Sequence, residues 1–417
     1  MDKLYHKALF IVNFIKKVFT STNNSDRIQG LSKFLWGEKK MKSIVAAMAS
    51  VKHFAERNTV MVIAFFAALI TCFFVPVDKS YISYFDFKTL ACLFSVLSVV
   101  CALKNINFFY IIARQVVLLF KNARMCVLAL VYITFIGSML IANDMALLTF
   151  LPLGYFVLSS TGKEKYMAFT FIMQNIAANL GGMLTPFGNP QNLYLYTAFN
   201  IPNDEFVKIM LLPFSVSIAL ITLCCIFAVG SEALEIKKEE VRLNWKRVCL
   251  YLALFLISIL IVFRGIPYQY GLIIIFAVLA LVDRKALKMV DYPLLFTFVF
   301  FFIFSGNLSR IEPVKMIFSA LLSKSTFLFS VLSCQVISNV PSAILLSQFT
   351  ENYPELLVGV NIGGVGTVIS SLASLITLRE YTSHNPGRVG QYIKTFSAYN
   401  FGLLVILTGI MLAVFYI

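Results

Sequence analysis

The chain has 417 residues, 59% of them hydrophobic and only 13% charged, whereas a soluble domain carries about 25% charged residues. This balance excludes an ordinary soluble enzyme or binding module. The net charge of +15 would suggest nucleic acid in a soluble chain, but here the basic clusters lie between apolar blocks and carry no aromatic-rich basic motif, so the positive-inside rule accounts for them.

Taken in chain order, residues 1–57 are basic and are placed inside. Residues 4–19 are apolar but broken by His6, Lys7, Lys16 and Lys17, with no small-residue cleavage site after them. They read as an amphipathic segment lying on the cytoplasmic face of the membrane and not as a cleaved signal. Residues 59–75 run outward, residues 78–86 form an outer loop, and residues 89–103 return. Residues 105–120 are apolar with Arg114 near the middle. A charge at the bilayer centre costs at least about 2.5 kcal/mol, so this stretch reads as an interfacial helix.

Residues 125–142 and 145–160 are two apolar arms divided by Asn143-Asp144. Two full spans and a re-entrant hairpin entered from the cytoplasm fit equally, because both keep Lys163 inside. Residues 166–197 are too long for one simple span and are interrupted by Thr185-Pro186-Phe187-Gly188-Asn189-Pro190-Gln191-Asn192. Proline and glycine break the ladder of backbone hydrogen bonds, and irregular backbone at membrane depth is tolerated only where it lines a polar cavity. Residues 206–229 run inward to the charged loop 231–247, and residues 248–263 link to the outside.

The second half repeats this order upside down. Residues 268–282 and 293–304 are spans on either side of the basic loop 283–288, and residues 314–322 form an interfacial helix on the outer face. Residues 326–338 and 342–349 make a second hairpin around Asn339-Val340-Pro341. Residues 356–378 are a span broken at Gly363-Gly364-Val365-Gly366-Thr367, and residues 392–416 end outside. The pattern predicts an all-α polytopic membrane protein with about nine full spans and two hairpins. Its parts are a cytoplasmic segment (1–57), a first transmembrane repeat (58–230), a basic loop and linker helix (231–265) and a second repeat (266–417).

The two breaks align. Asn179-Leu180-Gly181-Gly182-Met183-Leu184-Thr185 matches Asn361-Ile362-Gly363-Gly364-Val365-Gly366-Thr367, and the match continues so that Asn189 falls opposite Ser371 and Asn192 opposite Ser374. The tips align as Asn143 with Asn339. Broken apolar segments at corresponding places in two halves point to a transporter site. Gly181 and Gly363 alone are equally well explained by close helix packing; the polar residues beside the breaks are not.

Helix N-termini at such breaks offer free N–H groups and partial positive charge to an anion. Exposed carbonyls offer hard oxygen ligands to Na⁺. The substrate-binding candidates are therefore Asn143, Gly188, Asn189, Gln191, Asn192, Ser338, Asn339, Ser342, Thr367, Ser370 and Ser371. The ion-coupling candidates are Asn143, Asp144, Thr185, Asn339 and Thr367, with Na⁺ at Asn143, Asp144 and Asn339. Asp144 is the only carboxylate at a tip or break, and an intramembrane acid is functional by default. Ion coupling, substrate contact and capping of the hairpin's second helix are its three readings, and capping extends to Asn143. Arg264, Arg310 and Glu312 flank apolar blocks as interfacial anchors.

At these residues the chain resembles the ion transporter superfamily of divalent anion/sodium symporters, citrate transporters and arsenite permeases. Ser338-Asn339-Val340-Pro341 is similar to the Ser-Asn-Thr tip motif of the anion symporters, with Val in place of Thr. Gly188-Asn189-Pro190-Gln191-Asn192 is similar to their Gly-Thr-Pro-Pro-Asn motif. Ala142-Asn143-Asp144 departs from Ser-Asn-Thr and is closer to the Asn-Asp of arsenite permeases, and Gly366-Thr367-Val368-Ile369-Ser370-Ser371-Leu372-Ala373 looks more like the second break of that family. The resemblance implies a scaffold domain, a moving transport domain holding both hairpins, elevator-type motion and a homodimer.

The function expected is secondary transport of a small anion, a di- or tricarboxylate or an inorganic oxyanion, across the cytoplasmic membrane, with Na⁺ or H⁺ as coupling ion and no further cofactor. Arsenite permeation or Na⁺/H⁺ antiport on the same scaffold is the alternative. No His-Glu-x-x-His, Gly-x-Ser-x-Gly or phosphate-loop motif points to an enzyme. The partners expected are the anion and the lipid bilayer, and not nucleic acid.

Overall fold

Loop residues with short polar side chains start many of the helices. Asp86 accepts from Thr89 N at 2.9 Å, Asn122 from Met125 N at 2.8 Å and Asp291 from Leu294 N at 3.0 Å. Each satisfies a backbone N–H that has no partner within its helix.

The computed structural model describes residue 54 and residues 58–233 and 243–416. The amphipathic N-terminal segment and residues 234–242 of the charged loop lie outside the described residues. The chain divides into residues 1–62 and 63–417. Of the first unit, Phe54 and residues 58–62 are described, and Asn58 Nδ2 donates to Phe54 O at 2.9 Å. The second unit holds both hairpins and both broken helices.

The described chain is helical throughout, apart from one isolated bridge between Asn122 and Ala233. The first half runs α1 (Thr59–Phe74), α2 (Phe87–Asn105), α3 (Phe108–Val117), α4 (Ala123–Ile141), α5 (Asn143–Ser160), α6 (Met167–Gly181), α7 (Pro190–Ala198) and α8 (Asn203–Ala228). The second runs α9 (Trp245–Val262), α10 (Tyr268–Val282), α11 (Arg284–Lys288), α12 (Tyr292–Ser309), α13 (Glu312–Leu322), α14 (Thr326–Ile337), α15 (Asn339–Leu346), α16 (Tyr353–Ile362), α17 (Leu372–His384) and α18 (Val389–Tyr416). The protein is an all-α polytopic membrane protein.

Among the described residues, α2, α4, α8, α9, α12 and the stretch 386–416 are long and apolar enough to cross a membrane. Of the nine spans expected from the sequence, five meet this test. The segments α1 and α10, at 16 and 15 residues, fall short of it. The remaining two are broken, as α6/α7 and α16/α17. The arms of the first hairpin, α4 and α5, have 19 and 18 residues, or about 28 and 27 Å at 1.5 Å per residue. Those of the second, α14 and α15, have 12 and 8, or about 18 and 12 Å. The helix of its second arm begins at Asn339, earlier than the sequence-based boundary at residue 342, because Pro341 is accommodated in the first turn, where its missing N–H costs nothing.

Packing repeats between the halves. Each broken helix lies along the first arm of its own hairpin, α6 on α4 and α16 on α14. Each hairpin's second arm packs against the far half of the opposite broken helix, α5 on α17 and α15 on α7. The close contact rests on small residues. A Cβ on Gly181 would come within 2.2 Å of Phe135 O on α4, and one on Gly363 within 2.8 Å of Cys334 on α14. These two glycines are packing residues, as the second of their two sequence readings held. Helix α2 packs mainly on α9, α10 and α11, and Asp283 pins this group. It accepts from Asn105 Nδ2 at 3.0 Å and Tyr251 OH at 2.9 Å, and caps α11 at Ala286 N. Burial raises the Asp283 carboxyl pKa, but the Asn105 and Tyr251 hydrogen bonds outweigh it and hold the group below its ordinary range.

Candidate functional site

The hairpin tips share a backbone conformation that residues with a Cβ seldom adopt. Ala142 has φ 64° and ψ 151°, and Ser338 has φ 74° and ψ 160°. Both are the last residue before the second arm begins. In each tip the following asparagine folds its amide oxygen onto the next N–H, Asn143 Oδ1 accepting from Asp144 N and Asn339 Oδ1 from Val340 N, both at 2.9 Å. The capping reading is thereby corrected for Asp144, whereas Asn143 Oδ1 does take one of the free N–H groups of α5. The helix N-cap is Ala142, whose side chain caps nothing, and Asn143 and Asp144 already belong to the first turn of α5.

Each break is tied to the first arm of its hairpin by a threonine. Thr185 Oγ1 donates to Met139 O at 2.7 Å and Thr367 Oγ1 to Gln335 O at 3.1 Å; each carbonyl lies four residues before the tip asparagine. The helices beyond the breaks start alike. Asn189, at the N-cap of α7, has φ −136° and ψ 142°, and Ser371, at the N-cap of α17, has φ −149° and ψ 144°.

The breaks also bond to each other. Asn189 Nδ2 donates to Asn361 Oδ1 at 3.1 Å, and Ser371 Oγ donates to Asn179 Oδ1 at 2.8 Å. Since Asn179 aligns with Asn361 and Asn189 with Ser371, the two bonds are equivalent under exchange of the repeats. The tips join the same cluster. Asn143 Nδ2 donates to Asn179 Oδ1 at 3.2 Å, while Asn339 N and Ser338 Oγ donate to Ser370 O at 2.9 and 3.2 Å. Four helix N-termini, of α5, α7, α15 and α17, therefore converge on one set of neutral amides and hydroxyls.

Of the sequence candidates, Asn143, Asn189, Gln191, Asn192, Ser338, Asn339, Thr185, Thr367, Ser370 and Ser371 enter this connected network. Gln191 Nε2 reaches Asn361 Oδ1 at 3.4 Å. Asn192 Nδ2 turns to the carbonyls of Gly182 and Met183, each at 3.2 Å. Gly188 is there for close approach, since a Cβ would meet Gly182 O at 2.4 Å. Ser342 is not brought to the breaks; it bonds Ser333 of the opposite arm at 2.8 Å. Asp144 sits in the first turn of α5, half-buried, with its Oδ1 buried and accepting no hydrogen bond among the described residues.

Sequence reading missed Asn175, Asn179, Asn361 and Gln335. Asn175 Nδ2 donates to Ser374 Oγ at 3.2 Å across the repeats. Gln335 Nε2 holds Gly363 O at 2.9 Å and Val365 O at 3.2 Å, and its Oε1 accepts from Thr367 N at 2.9 Å. A signal existed for Asn179 and Asn361, because each heads its aligned Asn-x-Gly-Gly stretch. Gln335 stands one turn before its tip in an apolar run and offered none.

Outside the cluster the anchor residues make specific contacts. Arg310 holds Asp78 in a two-pronged pair, Nη1 to Oδ1 at 3.1 Å and Nη2 to Oδ2 at 2.7 Å. Arg264 lies over the Tyr196 ring at 4.5 Å and donates to Tyr196 O at 3.1 Å. Glu312 is exposed in the first turn of α13.

Comparison with known proteins decides what this architecture belongs to. Residues 44–355 match the sequence profile described as citrate transporter. The chain belongs to the citrate transporter family. It is 33% identical over 314 residues to the uncharacterized transporter MJ0456 of Methanocaldococcus jannaschii, covering 74% of this chain and 84% of the relative. It is 29% identical to inner membrane protein YbiR of Escherichia coli K12, covering 74% of this chain and 83% of the relative. Membership in this family points to a multi-pass membrane transporter and not to an enzyme.

Proposed function

We propose that this member of the citrate transporter family is a secondary active transporter that carries a small anion through the cluster between its two hairpins. The observation that carries the reading is the convergence of four helix N-termini on neutral amides and hydroxyls. Such ends stabilise an anion by partial positive charge, with no need of a buried arginine. At α15 the first N–H groups are already bound, Asn339 N to Ser370 O and Val340 N to Asn339 Oδ1, so free N–H groups come from the other three ends. The substrate class is a di- or tricarboxylate such as citrate or succinate, or an inorganic oxyanion, and the family description supports the carboxylate. The substrate contacts are Asn143, Gly188, Asn189, Gln191, Asn192, Ser338, Asn339, Thr367, Ser370 and Ser371. Na⁺ or H⁺ is the coupling ion, with Asn143, Asp144, Thr185, Asn339 and Thr367 as its candidates.

The proposed mechanism is elevator-type alternating access in the cytoplasmic membrane, with the N-terminus inside and the protein acting as a homodimer. The short arms of the second hairpin support re-entry, since about 18 and 12 Å cannot cross a core of about 30 Å. A second reading, arsenite permeation or Na⁺/H⁺ antiport, is favoured by one feature, the unpaired buried oxygen of Asp144.

The test is uptake by the purified protein in proteoliposomes. Labelled citrate, succinate, sulfate and arsenite are offered under an inward sodium gradient or an inward proton gradient. Accumulation of a carboxylate or sulfate driven by one gradient supports the proposal. Accumulation of arsenite alone, or sodium-driven proton movement with no anion uptake, would replace it by the second reading.

A further inference from the structure

We infer that Asn179 and Asn361 are positioning residues that make the ligand contacts of each repeat depend on an asparagine of the other. The inference rests on the reading of the cluster as the transport site.

The orientation of both amides is fixed by their own helices. Asn361 Nδ2 donates to Leu357 O at 2.8 Å, and Asn179 Nδ2 to Asn175 O at 3.1 Å. Both side chains are buried, each 1% exposed. With the NH₂ groups turned back along the helix, each amide oxygen faces the opposite repeat and takes two donors. Asn361 Oδ1 takes Asn189 Nδ2 and Gln191 Nε2. Asn179 Oδ1 takes Ser371 Oγ and Asn143 Nδ2. An amide oxygen has two lone pairs, so neither is left for a ligand.

Asn361 does more than accept. Its Nδ2 also donates to Asn192 Oδ1 at 2.6 Å. One residue of the second repeat thus holds Asn189, Gln191 and Asn192, the three amide side chains of the first break. The consequence is visible in what remains unpaired. Asn189 Oδ1 and Gln191 Oε1 are buried and have no hydrogen-bond partner among the described residues. With Gln191 Nε2 given to Asn361 and Asn189 Nδ2 shared between Asn361 Oδ1 and Asn179 O, these oxygens are acceptors, the faces the break keeps for the coupling cation or a hydroxyl of the substrate. An unpaired buried acceptor costs about 1–3 kcal/mol, which a bound donor or cation recovers. Asn179 does the corresponding work for the second break and also tethers the first tip.

The test uses the full chain as Asn361→Leu and Asn179→Leu, with Asn361→Asp and Asn179→Asp keeping an oxygen at the accepting position. Two readouts are taken. In hydrogen exchange, Asn361→Leu should speed exchange at residues 182–192 of the other repeat, and Asn179→Leu at residues 367–374, each aspartate variant doing so less. In proteoliposomes, sodium-driven citrate uptake by the leucine variants should need about tenfold more citrate for half-saturation, with the maximal rate per folded protein kept. A merely structural role would lower the folded fraction and leave half-saturation unmoved. Exchange that rises only within the mutated repeat, or half-saturation equal to wild type, overturns the inference. If wild-type protein takes up no citrate, the carboxylate reading fails, and the exchange result alone decides this inference.

Discussion

Asn189 Nδ2 lies 3.1 Å from Asn361 Oδ1, joining the broken helix of one repeat to that of the other. The equivalent bond, Ser371 Oγ to Asn179 Oδ1 at 2.8 Å, closes the pair. Neither bond lies within a repeat, so the two breaks are held in one frame. Small residues let each broken helix lie against its own hairpin, and amides then stitch the halves together. Among the described residues no side-chain cation bonds to the cluster, so in the proposed site the charge offered to an anion comes from helix ends.

The tips store strain unequally. A residue with a Cβ in this part of φ/ψ space costs about 1–3 kcal/mol. Ala142 makes no side-chain hydrogen bond there, whereas Ser338 Oγ holds Ser370 O. Ala142→Gly should therefore stabilise the protein by about 1 kcal/mol. Ser338→Gly should give less or nothing, because it loses that bond. Thermal unfolding in detergent, followed by fluorescence, ranks the two.

Gly366 has φ +130°, and a Cβ there would come within 2.2 Å of Gln335 Oε1. Gly366→Ala should destabilise by about 1–3 kcal/mol and disturb the Gln335 bonds to Gly363 O, Val365 O and Thr367 N. Gly402→Ala, where nothing lies within 4 Å, is the control and should unfold like wild type or slightly higher. Equal melting of both alanine variants would contradict the fit described for the second break.

At the loop that follows the first hairpin, Glu232 is held by Lys163 Nζ at 2.7 Å, with Lys165 Nζ and Tyr166 OH beside it. These partners, Lys163 first, lower its carboxyl to about 2 from the ordinary 4.5. A carboxyl depressed on folding binds its proton more weakly than in the unfolded chain. Its contribution is complete above the unfolded pKa and is lost as pH falls through the folded one. The window is thus from about 4.5 down to about 2. Glu232→Gln should lower the melting temperature at pH 6 more than at pH 3. A loss that is larger at pH 3 would contradict this assignment.

Much of this was legible in the sequence. The alternation of apolar blocks and basic loops marks which segments enter the membrane, and two proline- and glycine-rich interruptions mark the breaks. Asn143, Asn189, Ser371 and Asn339 were found because polar residues in apolar runs need a reason. Asn179 and Asn361 were passed over because each sits two residues before its glycines, where it reads as part of a helix. Their partners across the repeats are more than 160 positions away, and no local pattern reports such pairing. Ser342 was chosen for its place beside the tip, but its position in the first turn of α15 turns it toward Ser333. The hairpin arms were legible to within three residues at each end, and what escaped was the sharpness of the tips, because Ala142 and Ser338 carry no glycine to announce a positive φ.

The most direct test of the central claim is citrate uptake by Asn143→Leu and Asn339→Leu in proteoliposomes, each scored against the amount of folded, membrane-inserted protein. Each change replaces a tip amide by an apolar group of similar size and leaves the packing around it. Both variants should insert as wild type does, with uptake at background in both. Wild-type uptake by both variants would contradict it, and would move the transport site away from the paired tips.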